Sequence, residues 1–173
     1  MKGKSIFAVA AMFCAAVCFS QDVVIKKPDY FTEPIRDGHV LFPDSLVYPA
    51  DAEEIVIPDV GTFGRLGNEF GDGYDFPNVR KIIFNNVDYV PGALINALPN
   101  LEEVVFNGMI GHFDCTLIMD CPKLKSIIFR GPVSSTGGSG LTSRVPSLEK
   151  IVFESVVVDL GVEPDSVGFT NNG

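Results

Sequence analysis

The segment Leu98-Pro-Asn-Leu-Glu-Glu-Val-Val-Phe106 decides the architecture of this chain, because close copies of it recur on both sides. The copies' prolines follow one another at steps of 22, 23 and 24 residues, and a degenerate first copy precedes them at residues 53–57. The three other full copies are Phe76-Pro-Asn-Val-Arg-Lys-Ile-Ile-Phe84, Cys121-Pro-Lys-Leu-Lys-Ser-Ile-Ile-Phe129 and Val145-Pro-Ser-Leu-Glu-Lys-Ile-Val-Phe153. A nine-residue pattern repeated at near-constant spacing predicts a stack of similar coils.

Each copy predicts a corner followed by a short strand. Pro99 has no N–H to give to a β-ladder, so it marks the corner before the strand. Val104 and Phe106 are two residues apart, which places both on the buried face of that strand. A second inward column is expected on the return side, five residues before each proline, at Leu94, Leu117 and Leu141.

One coil of this kind cannot bury its apolar side alone, whereas about three or more stacked coils form a continuous core. We therefore expect about five coils, whose strands pair in parallel at ~4.8 Å spacing. The stack brings equivalent residues into line, and it predicts one internal column of aromatic rings, Phe84, Phe106, Phe129 and Phe153.

The Leu-x-x-Ile/Val-x-Phe units, with Cys121 at the corner before one of them, resemble the BspA-type leucine-rich repeat of bacterial surface proteins. The resemblance covers about residues 53–153. It implies an α/β leucine-rich-repeat solenoid with a parallel β-sheet on the concave face and irregular or short helical turns on the convex face. It also implies a recognition role, often adhesion, without shared catalytic residues. In the other copies, Phe76, Leu98 and Val145 replace the family's corner Cys.

The residues between the buried positions of each strand predict a binding surface on the concave face. The apolar row consists of Val56, Ile83, Val105, Ile128 and Val152. A parallel row, in which charges largely alternate, consists of Glu54, Lys81, Glu103, Ser126 and Lys150. Opposite charges on adjacent strands favour this register. We expect the apolar row, with Lys81, Glu103 and Lys150 at its border, to bind a protein or peptide, although strand propensity alone would also explain the β-branched residues.

The first 20 residues have the composition of a secretory signal peptide. A basic start precedes the almost wholly apolar run Ile6–Phe19, and Ser20 supplies a small residue before Gln21, where we expect cleavage. A lipid anchor on Cys18 is not expected, because Val17 is a poor residue before a lipidated cysteine. No second apolar run reaches membrane length, so we expect an exported protein without a membrane span: periplasmic, cell-surface or secreted.

Charge narrows the class of partner. Removal of the signal peptide leaves 11 basic and 22 acidic side chains, which gives a formal net charge of −11. Such a balance argues against nucleic acid and anionic membranes, since both select for Lys and Arg. Four prolines lie in residues 21–52, which we interpret as an N-terminal cap, and residues 154–173 are interpreted as a C-terminal cap or tail.

Candidate chemistry is sparse. His112 lies near Asp114 and Cys115, but no third and fourth metal ligand follow at the usual spacing, so we expect no metal, no cofactor and no catalytic role. A Cys115–Cys121 disulfide and a buried free Cys121 both remain open. So does Ca²⁺ binding by the acidic loop, although a solvated loop is the favoured interpretation; its carboxylates are Glu69, Asp72 and Asp75.

We therefore expect a non-catalytic binding module that recognises a protein or peptide in the manner of an adhesin. A structural envelope component that self-associates through the last coil is the main alternative. An enzyme that uses His112 or the acidic loop is the least favoured one.

Overall fold

The computed structural model describes residues 22–26, 45–63, 66–67, 74–90, 93–113, 116–136 and 140–158. The predicted signal peptide and most of the predicted C-terminal tail lie outside them. The described strands are β1 (Val23–Lys26), β2 (Ser45–Tyr48), β3 (Glu54–Ile57), β4 (Val60–Thr62), β5 (Lys81–Phe84), β6 (Val87–Val90), β7 (Ile95–Asn96), β8 (Glu103–Phe106), β9 (Ile110–Phe113), β10 (Ile118–Met119), β11 (Ser126–Phe129), β12 (Val133–Thr136), β13 (Thr142–Ser143) and β14 (Lys150–Phe153).

A five-stranded parallel sheet runs along one side of the molecule, in the order β14-β11-β8-β5-β3. Its register is the predicted one: Phe84 pairs with Phe106, Phe106 with Phe129, and Phe129 with Phe153. The chain returns between successive strands of this sheet, so the molecule is a parallel β-solenoid of about four turns. The predicted stacking of coils is confirmed, with about four turns in place of the five coils expected.

The return path of each coil also consists of strands. A four-stranded parallel sheet has the order β12-β9-β6-β4, and a three-stranded parallel sheet has the order β13-β10-β7. The helical turns expected on the convex side are not confirmed, because the described return segments contain no helix. Accordingly, no described segment is a helix long and apolar enough to cross a membrane.

The strand-rich return path has a physical cause. Segments such as β6 and β9 carry buried apolar residues at both ends and two outward residues between them, and each buried residue pairs with its equivalent in the next coil. Because strands line all three sides of a coil, the same spacing of ~4.8 Å sets the rise on each side. The concave and convex faces of a leucine-rich repeat arise because helices on the return side are wider than the strands on the opposite side. The described coils contain no helix, so this cause of curvature is absent from them.

The core is a set of columns that run along the solenoid. Rings stack in the predicted internal column, with centroids 5.1 Å apart for Phe84 and Phe106 and 4.8 Å apart for Phe129 and Phe153. The predicted return column is buried as well: Leu94, Leu117 and Leu141. Each coil thus seals the apolar interior of the next.

The corner before the strands of the five-stranded sheet is marked in the backbone. The prolines of the repeat lie in turns, as predicted. The position two residues before three of these prolines adopts a left-handed conformation, with φ of 56° at Ala97, 54° at Asp120 and 52° at Arg144. Non-glycine residues rarely adopt this conformation, so its recurrence shows that the fold imposes the same bend in three successive coils.

The N-terminal end of the solenoid is in contact with an antiparallel hairpin of β1 and β2. Ile25 is 2% exposed and belongs to the core, and the ring of Tyr48 meets that of Phe76 edge-on at 6.0 Å. The Tyr48 hydroxyl donates a hydrogen bond of 2.7 Å to the carbonyl of Val56 on the outer edge of β3. The described part of residues 21–52 therefore lies where an N-terminal cap would lie.

Candidate functional site

The five-stranded sheet places the predicted binding residues in two straight rows. Direct pairing joins Val56 to Ile83, Ile83 to Val105, Val105 to Ile128 and Ile128 to Val152. The charged row is aligned in the same way, from Glu54 to Lys150, on the same outward face, because residues two apart in a strand share a face. The structure thus brings together all eight residues that the sequence analysis assigned to this surface.

The rows differ in how much surface they offer. Val56 is 44% exposed, whereas Val105 is only 2% exposed. Val105 pairs with Ile83 on one side and Ile128 on the other, and both side chains are one carbon larger than its own. Val105 therefore keeps its predicted position but contributes almost no contact area. The accessible apolar surface belongs to the other four members of the row: Val56, Ile83, Ile128 and Val152.

Opposite charges meet across the strands of the border row. The Lys81 ammonium lies 3.7 Å from a carboxylate oxygen of Glu54 and 3.3 Å from one of Glu103. The hydroxyl of Ser126 donates to Glu103 at 3.2 Å. Lys150, the last member of the row, lies on β14 at the end of the sheet. These surface ion pairs are each worth at most about 1 kcal/mol, so their main effect is to disfavour shifted registers.

A second charged ladder lies one residue before the strands. Lys125 donates a hydrogen bond of 2.8 Å to Glu102, and Arg80 lies 3.8 Å from the same carboxylate. The hydrogen bond and charge of Lys125 lower the pKa of Glu102, and Glu102 raises the pKa of Lys125 by the same interactions. The predicted binding face is therefore bordered by charges that already neutralise one another, which leaves the isoleucines as its most distinctive feature.

His112 lies in strand β9. It faces outward from β9, and its ring stacks on that of Tyr89 in β6, with centroids 6.0 Å apart and planes 5° apart. Its predicted neighbours Asp114 and Cys115 lie outside the described residues. Within the described ranges, no group of three or more His, Cys, Asp or Glu side chains could hold a metal ion.

Cys121 is a buried free thiol. It lies at an inward corner, as predicted, and its Sγ donates to the carbonyl of Met119 at 3.3 Å. Burial raises the pKa of this thiol to about 12, so almost none of it is thiolate at neutral pH. Since the thiolate is the reactive form, Cys121 packs as a small apolar side chain and has no features of a nucleophile.

The acidic loop stays a prediction. Glu69 and Asp72 lie outside the described residues, and Asp75 is exposed beside the corner at Phe76. The structure therefore neither brings these carboxylates together nor separates them.

Sequence analysis missed a polar ladder on the bend after the strands of the five-stranded sheet. The Asn86 side chain donates to Asp59 at 2.8 Å, and its carbonyl oxygen accepts from the backbone N–H of Met109 at 2.9 Å. The link between β8 and β9 is one residue longer than the link between β5 and β6. The side chain of Asn86 accepts a hydrogen bond from the backbone N–H that the longer link adds. Extending the repeat alignment past its phenylalanine would have aligned these positions.

The comparisons with known proteins leave the site to be interpreted from its own geometry. The chain matches no protein family model, no curated protein and no solved structure.

Proposed function

We propose that this protein is an exported, non-catalytic recognition module that binds a protein or peptide on the outer face of its five-stranded sheet. The contact residues are the accessible members of the apolar row, Val56, Ile83, Ile128 and Val152, with Lys81, Glu103 and Lys150 at the border. Val105 lies between the two isoleucines in the same row.

The observation that carries this proposal is the unbroken alignment of outward β-branched residues on adjacent strands. Apolar side chains aligned on adjacent strands form a flat apolar strip, and its exposure to water is unfavourable. A bound partner removes this strip from water, which favours binding. An interface of this kind joins an apolar centre to a charged rim. The ladder of Lys81, Glu54 and Glu103 supplies such a rim and restricts the orientation of the partner.

Export is the second part of the proposal, and residues 1–20 support it. The mature chain would begin at Gln21. N-terminal sequencing of the secreted product tests this: a product that retains residues 1–20, or one that carries lipid on Cys18, contradicts it.

The third part of the proposal is a relationship to a known protein family. The Leu-x-x-Ile/Val-x-Phe units and the 22 to 24-residue period support a relationship to BspA-type leucine-rich-repeat proteins. In this relationship, the chain differs from the usual repeat in its return path, which consists of strands. In that family context, the partner is a component of a host or a neighbouring cell surface.

The test of the recognition role compares two variants of the mature protein as bait in envelope and host extracts. The double variant Ile83→Lys and Ile128→Lys places two charges in the apolar row, whereas Ser134→Lys places one on the outward face of the four-stranded sheet. We expect a partner that is retained by the wild type and by Ser134→Lys and lost by the double variant. Equal retention by all three proteins contradicts the proposal.

A structural, self-associating role is the alternative, and one observation favours it. Of the described strands, β14 is the last in its sheet, and its residues are less buried than their counterparts in inner coils.

A further inference from the structure

Within the part of the chain that the structure describes, the two ends of the five-stranded sheet differ in how they are covered. At the N-terminal end, the Tyr48 hydroxyl binds the outward carbonyl of Val56 on the edge of β3. At the C-terminal end, no described strand lies beyond β14. Three core positions of the last coil are only partly buried, although their counterparts in the preceding coil are 0–1% exposed; the partly buried residues are Leu148, Ile151 and Phe153.

The backbone of β14 leaves a defined set of groups on its outer edge. The N–H groups of Lys150 and Glu154 donate to carbonyls of the preceding coil, at 3.2 Å and 2.8 Å. Since successive residues of a strand direct their backbone groups to alternate sides, Ile151 and Phe153 direct theirs to the outer edge. Open edges of this kind attract another strand unless they are blunted.

The sequence of β14 is complementary to itself about Val152. In an antiparallel pair of two copies centred there, Ile151 of one copy exchanges both backbone hydrogen bonds with Phe153 of the other. Val152 faces its own counterpart. Lys150 faces Glu154 on the outward side, and the symmetry produces this ion pair twice. A charged residue on an edge strand ordinarily opposes pairing, but here the two charges attract each other.

We infer that two copies of this chain associate end to end through β14, with a twofold axis at Val152. The two five-stranded sheets then join into one, and the open ends of the two cores cover each other, including the outer face of the Phe153 ring. Such an isologous contact closes on itself and stops at a dimer. The apolar row continues through the axis into the second copy. The dimer does not depend on a ligand binding to that row.

Charge reversal in the full mature chain tests the dimer. We expect a concentration-dependent dimer in light-scattering and sedimentation measurements on the wild type. Lys150→Glu and Glu154→Lys each place like charges opposite one another at two points, which raises the dissociation constant by about tenfold or more. The double variant restores the attraction, so its dissociation constant returns toward that of the wild type.

Glu149→Lys is the matched control. Glu149→Lys reverses a charge next to Lys150 and removes the attraction between Glu149 and Lys125. Glu154→Lys likewise removes the ion pair between Glu154 and Arg130, whose charged atoms lie 3.9 Å apart. In the proposed register, however, Glu149 faces the neutral Ser155, so dimerisation should persist. A wild-type protein that stays monomeric at all concentrations overturns the inference, whatever covers the outer edge of β14. Single variants that dimerise as well as the wild type also overturn it.

Cross-linking tests the register. In a Cys115→Ser background, Val152→Cys places two thiols at the axis, where a pair without hydrogen bonds brings the Cβ atoms within disulfide reach. Diamide oxidation should give a covalent dimer. Ile128→Cys, in the same row one strand inside, should give none. Equal cross-linking of both variants contradicts the proposed register, and so does the absence of a dimer with Val152→Cys.

Discussion

The ring of Phe106 lies nearly parallel to that of Phe129, with centroids 4.8 Å apart and an angle of 7° between the planes. Parallel pairing in this register places equivalent residues of successive coils next to each other, so the rings repeat at the spacing of the strands. The column ties adjacent coils together through both buried area and ring stacking.

Phe106→Ala should therefore be among the most destabilising substitutions in the core. Removing a fully buried ring between two others leaves a cavity, and we expect the free energy of unfolding to fall by about 3–5 kcal/mol. Phe153→Ala is the matched comparison, since within the described residues the ring of Phe153 stacks only on that of Phe129, and Phe153 is partly exposed. Urea unfolding of monomeric protein measures both. Equal losses for the two variants would contradict the stacked arrangement.

Gly111→Ala tests the close approach of two coils. A Cβ at Gly111 would lie 1.8 Å from the carbonyl oxygen of Asp88 in the neighbouring strand. The backbone must shift to relieve that clash, so we expect a loss of at least about 1–3 kcal/mol. Ser134 occupies the equivalent place in β12 and already carries a Cβ, so Ser134→Ala should change the thermal midpoint little. An unchanged midpoint for Gly111→Ala would show that the coils are not this close.

Ala97→Gly should stabilise the protein. The φ of 56° at Ala97 costs a residue with a Cβ about 1–2 kcal/mol, whereas glycine adopts it freely. The greater entropy of glycine in the unfolded chain offsets about 0.5–1 kcal/mol of that gain. A net increase of about 0.5–1 kcal/mol is expected in chemical unfolding. Ala97→Val, which adds a β-branch at the same φ, should lower stability, and a reversed order of the two variants would contradict the left-handed corner.

Acid should weaken the fold partly through Glu102. Its pKa is lowered from the ordinary 4.5, first by the hydrogen bond from Lys125 and then by the charge of Lys125. A pKa lower in the folded state than in the unfolded state adds stability above the unfolded pKa, and that stability is lost as the pH falls through the folded pKa.

Glu102→Gln should accordingly flatten the fall in unfolding free energy below pH 4.5, the ordinary value for this carboxyl. Lys125→Met should remove the larger part of the same pH dependence, because Arg80 and Lys123 also lower this pKa, and the double variant should remove no more than Glu102→Gln alone. Unfolding measured across this range of pH provides the check. A wild-type acid response in Glu102→Gln would exclude this pair as a contributor.

Cys121 should resist thiol reagents in the native protein. Burial and a pKa of about 12 leave almost no accessible thiolate. In a Cys115→Ser background, the native chain should incorporate no maleimide at neutral pH and one equivalent after denaturation. The intact mass of the non-reduced wild type tests whether Cys121 is free. Without a Cys115–Cys121 disulfide, that mass includes the hydrogen atoms of both thiols. Rapid native labelling would place Cys121 outside the core.

The five-stranded sheet could be predicted from the sequence because its signal is local and repeated. Pro99 and its equivalents mark the corner, Val104 and Phe106 alternate with outward residues, and the constant period aligns one strand with the next. These features act within about nine residues, where backbone preference and burial agree. The pairing of Lys81 with Glu54 and Glu103 follows from the same alignment.

The return path could not be predicted in the same way. Segments such as β6 and β9 have no strict alternation, and their apolar ends suit a short turn as well as a strand. They become strands because the first sheet fixes the spacing of the coils, which brings their backbone groups within hydrogen-bonding distance of equivalents 23 residues away. The same long-range spacing brings the rings of Tyr89 and His112 together.

The repeat by itself determined which side chains point inward and which strands are neighbours, since period and alternation are properties of the chain. Only the tertiary structure decided how exposed each outward residue is. Val105 and Val56 are equivalent in the repeat, yet one is 2% exposed and the other 44%. Exposure depends on the neighbours on both sides, and Val105 lies between two isoleucines, whereas Val56 lies on β3, the edge strand at the N-terminal end of its sheet.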